Sequence, residues 1–127
     1  MITIYYRRSC NSCLKAFLWL ENHNINFTKE RVSKITKEHL IQALSLSDKG
    51  IQSILKRPGR SCSTTKKRIA YLNELTFNES IDYLMKNNDL LQTPIVMENN
   101  KLLIGYNVEE IRKFLPLLYR RNLIKML

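Results

Sequence analysis

Between a β-patterned start and a helix-patterned run the chain places two cysteines, and that placement restricts the fold more than any other feature. Ile2-Thr3-Ile4-Tyr5-Tyr6 is β-branched and aromatic without charge, so it reads as a short buried strand. Arg7-Arg8-Ser9 ends it and Cys10-Asn11-Ser12-Cys13 follows at once. Leu14, Phe17 and Leu18, with Ile25 beyond the end, then recur near the 3.6-residue period of an amphipathic helix. Ser9 or Asn11 is the expected cap. Asn22-His23-Asn24 stops the helix, because short polar side chains compete for backbone bonds and tolerate left-handed geometry. Ile25 to Glu30 alternates as a half-exposed strand, which completes a β-α-β unit.

The middle of the chain reads as helical. Thr36 is placed to cap a helix with Leu40, Ile41 and Leu44 inward, and Ser47-Asp48-Lys49-Gly50 reads as a turn before a short piece carrying Ile51, Ile54 and Leu55. Arg57-Pro58-Gly59 breaks it. Lys66 to Leu75 forms a further helix with Ile69, Leu72 and Leu75 inward, and Thr76 caps another with Ile81, Leu84 and Met85 on one face. After Pro94, Ile95-Val96-Met97 and Leu102-Leu103-Ile104-Gly105 are two apolar strands whose short connection forces an antiparallel hairpin. Asn107 caps a last helix with Glu109 and Glu110 in its first turn and Val108, Ile111, Phe114 and Leu115 as its apolar face.

The order β-α-β, helical middle, β-β-α is an α/β, thioredoxin-like mixed sheet with an inserted helical subdomain. It predicts one domain over residues 1–116, the insertion at about 35–88, and a basic tail at 117–127. Cys10 then lies at or just before the first helix, and Pro94 occupies the place where this fold sets a cis-proline beside the dithiol. Gly105 ends a strand, while Gly50 sits in a turn where the lack of a side chain permits close contact with a partner.

Two thiols separated by two residues at a helix start can approach disulfide range, and the helix N-terminus favours the thiolate of the first. Cys10 is therefore the expected attacking or oxidant-sensing thiol and Cys13 the resolver, with Arg7 and Arg8 near enough in sequence to assist. Other uses stay open: half of a zinc site, which requires His23 and His39 to converge on the pair, or inert packing. Neither intervening residue is Gly or Pro, so sensing fits better than general disulfide reduction. Cys62 has no partner nearby in sequence and reads as buried or incidental.

Charge bears on partners. Twenty-one Lys and Arg against eleven Asp and Glu give +10, concentrated in two acid-free zones, Lys49 to Asn73 and Ile111 onward. These serve either an anionic partner or solubility alone. No stretch approaches a membrane span, and no signal-like N-terminus is evident, so a cytoplasmic protein is expected, where a disulfide is more often regulatory or catalytic than structural.

Ser9-Cys10-Asn11-Ser12-Cys13, Leu90-Leu91-Gln92-Thr93-Pro94-Ile95 and the stretch from Gly105-Tyr106-Asn107 through Ile111-Arg112-Lys113-Phe114-Leu115-Pro116 resemble the Spx branch of the arsenate-reductase-like, thioredoxin-fold family. Asp48-Lys49-Gly50 matches that family's glycine turn, and Arg60 falls in its helical insertion. The resemblance implies a transcription regulator without a DNA-reading motif of its own, which binds the C-terminal domain of the RNA polymerase α subunit and alters promoter use under thiol stress. Cys10 and Cys13 would be the switch, Gly50 would lie on the polymerase contact, and Arg60, Lys66, Lys67 and Arg68 are candidates for anion or nucleic-acid contact. Promoter DNA would be touched only within the polymerase complex. A cytosolic protease adaptor is a further candidate partner, and no cofactor or metal is implied. The alternative is a glutathione- or thiol-dependent arsenate reductase using Cys10. Thr93 stands where the family commonly has Arg, and it cannot replace an arginine's fixed charge and several donors at an oxyanion. That departure disfavours arsenate reduction and leaves open an altered oxidation response.

Overall fold

The uncharged N-terminal run becomes β1, Ile2–Tyr6, and lies inside a four-stranded sheet of order β2-β1-β3-β4. In this computed structural model residues 2–47, 50–56 and 63–115 are described. α1, Asn11–Asn22, carries the chain over to β2, Phe27–Arg31, which pairs in parallel with β1 from Ile2 opposite Phe27 to Tyr6 opposite Arg31. β3, Ile95–Glu98, lies antiparallel on the other side of β1, with Ile4 opposite Val96 and Tyr5 opposite Ile95. β4, Lys101–Ile104, closes the sheet as an antiparallel hairpin with β3. The ladder takes in Glu98 and Lys101, so the connection shrinks to Asn99-Asn100, where Asn99 adopts φ 48°.

Alternation along β1 and β3 divides the core into two layers. Ile2, Ile4 and Val96 face Ala16 and Leu20 of α1, together with Ile111 and Phe114. Tyr5, Ile95 and Met97 face the helical insertion: α2, Lys37–Leu46; α3, Ile51–Ile54; α4, Ser63–Leu72; and α5, Phe77–Lys86. The insertion thus supplies the second layer that a sheet with two apolar faces requires. Thr36 caps α2 through the His39 N–H, and Thr76 with Glu79 forms a reciprocal capping box on α5. A 3₁₀ turn, Val32–Lys34, precedes α2 and another, Asn88–Leu90, follows α5.

Several local expectations are corrected. α1 buries Cys13, Ala16 and Leu20, whereas Leu14 and Leu18 are 56% and 49% exposed. Ala16, with no bulk beyond Cβ, lets the helix axis approach the sheet, and that close approach rotates the leucines outward. α1 ends in a Schellman arrangement, with Asn24 at φ 55° and bonds from Ile25 N–H to Leu20 and from Asn24 N–H to Glu21. α4 begins at Ser63 and ends at Leu72, leaving Leu75 half-buried against the core. Ile41 is on the exposed side of α2, its inward place taken by Ala43.

The last helix is a 3₁₀ turn, Glu110–Phe114, whose three-residue period aligns Ile111 with Phe114, while Val108 lies in the turn before it and is 60% exposed. Asn107 still accepts from the N–H groups of Glu109 and Glu110. The residues expected to form a basic tail, 117–127, lie outside those described, as does the expected break at Arg57-Pro58-Gly59. Among the described residues no helix is long and apolar enough to cross a membrane.

The corrected face of α1 is testable by substitution. Leu20→Ala empties a fully enclosed position and should lower unfolding free energy by about 2–5 kcal/mol. Leu14→Ala should stay within about 0.5 kcal/mol in the same urea titration. Equal losses would show that α1 is rotated so that Leu14 faces the sheet as well.

Candidate redox site

Cys10 itself is the cap of α1. The chain enters through Ser9 at φ 57°, Cys10 is extended at φ −102° and ψ 109°, and its carbonyl accepts the first helical bond from Leu14 N–H. Its sulfur takes the place of the hydroxyl usual at this position and accepts from the Cys13 N–H at 3.3 Å. The cap expected at Ser9 or Asn11 is therefore formed by the thiol, because the tight left-handed turn at Ser9 delivers the next side chain to the free N–H groups.

Thr93 completes the surroundings of that sulfur. It precedes Pro94 through a cis peptide bond, is nearly buried, and brings its hydroxyl to 3.4 Å from Cys10 Sγ. The thiol also donates to the Thr93 carbonyl over 3.9 Å. When Cys10 is ionised the Thr93 hydroxyl becomes a donor to it. Sequence reasoning marks position 93 only by the missing arginine; the usable signal is a hydroxyl immediately before the proline that faces the dithiol.

The two cysteines are both free and sit in different environments. Partial burial alone would raise the Cys10 thiol, but bonds from the Cys13 and Thr93 side chains and from the N–H groups of Cys13 and Ser12 outweigh it, leaving it below the ordinary thiol value. Cys13 is buried, and burial together with its side-chain bond to Cys10 pushes it up to about 11. One sulfur is thus half-accessible and biased toward the thiolate, while the other is held as a protonated thiol beside it. That is the arrangement of an attacking thiol and a resolving one.

The remaining candidates are spread more widely. Arg7 donates to the Asn88 carbonyl at 3.1 Å, so this guanidinium is committed there, and Arg8 is exposed. His23 bonds the Trp19 carbonyl and stacks on its ring, and His39 pairs with the Tyr5 hydroxyl. Among the described residues no three His, Cys, Asp or Glu side chains come together as a metal-ligand set. Lys66 and Lys67 are exposed on α4, whereas Arg68 is held by both Asp89 oxygens at 2.8 and 2.9 Å and by Asn87. Arg60 and Cys62 fall outside the described residues. Gly50 stands at φ 64° and ψ −141°, a backbone region nearly restricted to glycine, with open space where a Cβ would point.

Comparison with known proteins places this geometry in context. Residues 5–114 match the model of the ArsC family. The chain is 34% identical over 124 residues to the global transcriptional regulator Spx of Streptococcus mutans, covering 96% of this chain and 88% of that protein. It is 33% identical over 127 residues to the global transcriptional regulator Spx of Streptococcus agalactiae, covering 98% and 90%. A crystal structure of a putative ArsC family related protein from Bacteroides fragilis superimposes with a TM-score of 0.74 at 27% identity, over 88% of this chain and 95% of that one.

Alkylation with iodoacetamide, mapped peptide by peptide, tests the thiol asymmetry. Cys10 should react at neutral pH with a midpoint below that of an ordinary thiol, and Cys13 only as pH approaches about 11. Thr93→Val removes one donor to the thiolate, worth ~1 kcal/mol, and should slow Cys10 alkylation at neutral pH about fivefold. An unchanged rate would show that the Thr93 hydroxyl does not stabilise the thiolate.

Proposed function

The chain belongs to the ArsC family, and on that premise we propose that it is a redox-responsive transcription regulator, similar to the Spx proteins, in which Cys10 and Cys13 are the switch. The observation that carries this reading is the pairing of a thiolate-biased, half-accessible Cys10 with a buried, protonated Cys13 at the start of α1. With a peroxide as oxidant, the Cys10 thiolate attacks one oxygen, the O–O bond breaks, and Cys10 becomes a sulfenic acid as hydroxide leaves. The Cys13 sulfur then attacks the Cys10 sulfur; the Cys13 proton and the sulfenic hydroxyl depart as water, and the S–S bond forms. Forming it removes the acceptor that caps α1 and the anion that Thr93 serves, so the change is felt at the helix start.

The same setting favours regulation over arsenate reduction. An oxyanion bound at Cys10 would find the single neutral hydroxyl of Thr93 where an arginine would supply charge and several donors. The partner proposed is the C-terminal domain of the RNA polymerase α subunit, with Gly50 on the contact and promoter DNA reached within that complex. The open space around Gly50 supports this reading.

Two experiments test it. In transcription with purified polymerase, oxidation of the wild type should change output from a responsive promoter several-fold, and Cys10→Ser and Cys13→Ser should abolish that difference while leaving α-subunit binding intact. An undiminished response in Cys10→Ser would remove the dithiol from the mechanism. At position 50, Gly50→Ala and Gly50→Arg carry the same backbone cost at positive φ, so their difference reports the side chain alone. Gly50→Arg should bind the isolated α domain at least tenfold more weakly than Gly50→Ala; equal affinities would exclude a contact at Gly50.

A further inference from the structure

The C-terminal ends of the parallel strands β1 and β2 open into a cleft that the dithiol chemistry leaves unused. It consists of two adjoining hollows of about 490 and 220 Å³, which share Tyr6, Arg8, Arg31 and Ser33. The carboxyl ends of parallel strands are where open α/β sheets commonly receive ligands. Parallel register sets Tyr6 opposite Arg31, so the Arg7-Arg8 loop leaves β1 beside the end of β2. Lys29 lies two residues before Arg31 on the same face, its Nζ 5.1 Å from the centre of the Phe17 ring, against which Tyr6 also packs edge-on. Lys34 joins from the 3₁₀ turn that follows.

Charge in the larger hollow is unbalanced. Arg8, Lys29, Arg31 and Lys34 line it with Glu30 as the one carboxylate. The ion pairs among the described residues are Lys37–Asp82, Arg68–Asp89 and Lys101–Glu98, so none of these four cations has an acidic partner within ion-pair distance. Arg7 and Asp89, which reach the smaller hollow, are already engaged, by the Asn88 carbonyl in its wall and by Arg68.

We propose that this cleft is a track for the phosphodiester backbone of a nucleic acid, separate from Lys66 and Lys67 on α4. The inference deepens the regulator reading and rests on it, since it names a surface through which such a protein would hold promoter DNA. The cations are half-buried or exposed and come from a loop, a strand and a turn, so they line the cleft along its length. A site for one small anion would enclose at least one charged donor, and this cleft encloses none. Several exposed cations in succession suit a polyanion, whose binding is the sum of many salt-sensitive phosphate contacts.

The test is fluorescence anisotropy of a labelled promoter duplex across a salt series, with and without saturating α C-terminal domain. The Arg8→Ala/Arg31→Ala double variant should bind about tenfold more weakly at ~0.1 M salt, and its slope of log affinity against log salt should be shallower by about 2. Arg8→Lys/Arg31→Lys, which keeps the charge, should retain most of both. Far-UV circular dichroism establishes that the variants are folded, and α-domain binding is measured separately by pull-down. A folded alanine variant with unchanged DNA affinity and slope overturns the proposal, including the case in which inorganic phosphate alone binds the cleft. Failure of the wild type to bind the α domain would instead overturn the regulator reading, and loss of salt slope in the variant without that domain would still support the cleft.

Discussion

Pairing of β1 with β3 governs the site more than any feature of the dithiol motif itself. With Tyr5 opposite Ile95, the chain leaving β1 toward Cys10 runs alongside the chain entering β3 through Thr93-Pro94. Cys10 and Thr93 are 83 positions apart, yet this ladder brings sulfur and hydroxyl to 3.4 Å. A slip of one residue would turn every side chain of β3 to the opposite layer, exchanging Val96 with Ile95 and Met97 between the two cores, so the hydrophobic pattern locks the register. The environment of the reactive sulfur is in this sense a consequence of apolar packing.

The thiol asymmetry follows from opposing effects at one helix end. Burial disfavours both thiolates, and on that ground alone both cysteines would be unreactive at neutral pH. Donors decide the outcome. Cys10, as the capping residue, meets N–H groups that α1 leaves unpaired, together with the Thr93 hydroxyl, whereas Cys13 is one turn inside the helix and turned toward the sheet. The residue that satisfies the helix is also the one activated by it, so local stability and reactivity rise together when Cys10 ionises.

Much of the fold was legible because hydrophobic period and cap chemistry agree. Thr36 and Thr76 mark helix starts, Asn24 marks an end, and the uncharged β1 and β3 announce buried strands. The failures on α1 come from a dependence on tertiary approach. Leu14 and Leu18 are the more apolar residues, but the small Ala16 fixes which side of α1 comes close to the sheet. Val108 has the expected spacing and is exposed because the helical turn begins only after it, at Glu110. At the site, the sequence identifies Cys10, Cys13 and Pro94, while the Thr93 contact depends on strand register. Arg8, Lys29, Arg31 and Lys34 are too dispersed to stand out as a basic run, and parallel pairing assembles them. Conversely Arg68, conspicuous beside Lys66 and Lys67, is neutralised by Asp89.

The two layers separate the proposed tasks. Gly50 lies between α2 and α3, which pack on the sheet face bearing Tyr5, Ile95 and Met97. α1, whose start the dithiol controls, packs on the opposite face against Ile2, Ile4 and Val96. Disulfide formation acts first on the cap of α1 and on Thr93; from there the route to Gly50 runs through Leu91 and Gln92 to Ile54 and Leu55 at the far end of α3, all but Gln92 buried. Close-packed interiors of this kind resist small displacements. The attachment proposed through Gly50 should therefore respond less to the redox state than the contact proposed at the cleft. The cleft differs, because Arg8 is two residues from Cys10 on the connecting loop. On the proposed reading, oxidation would act more directly on the contact with phosphate at the cleft than on attachment through Gly50.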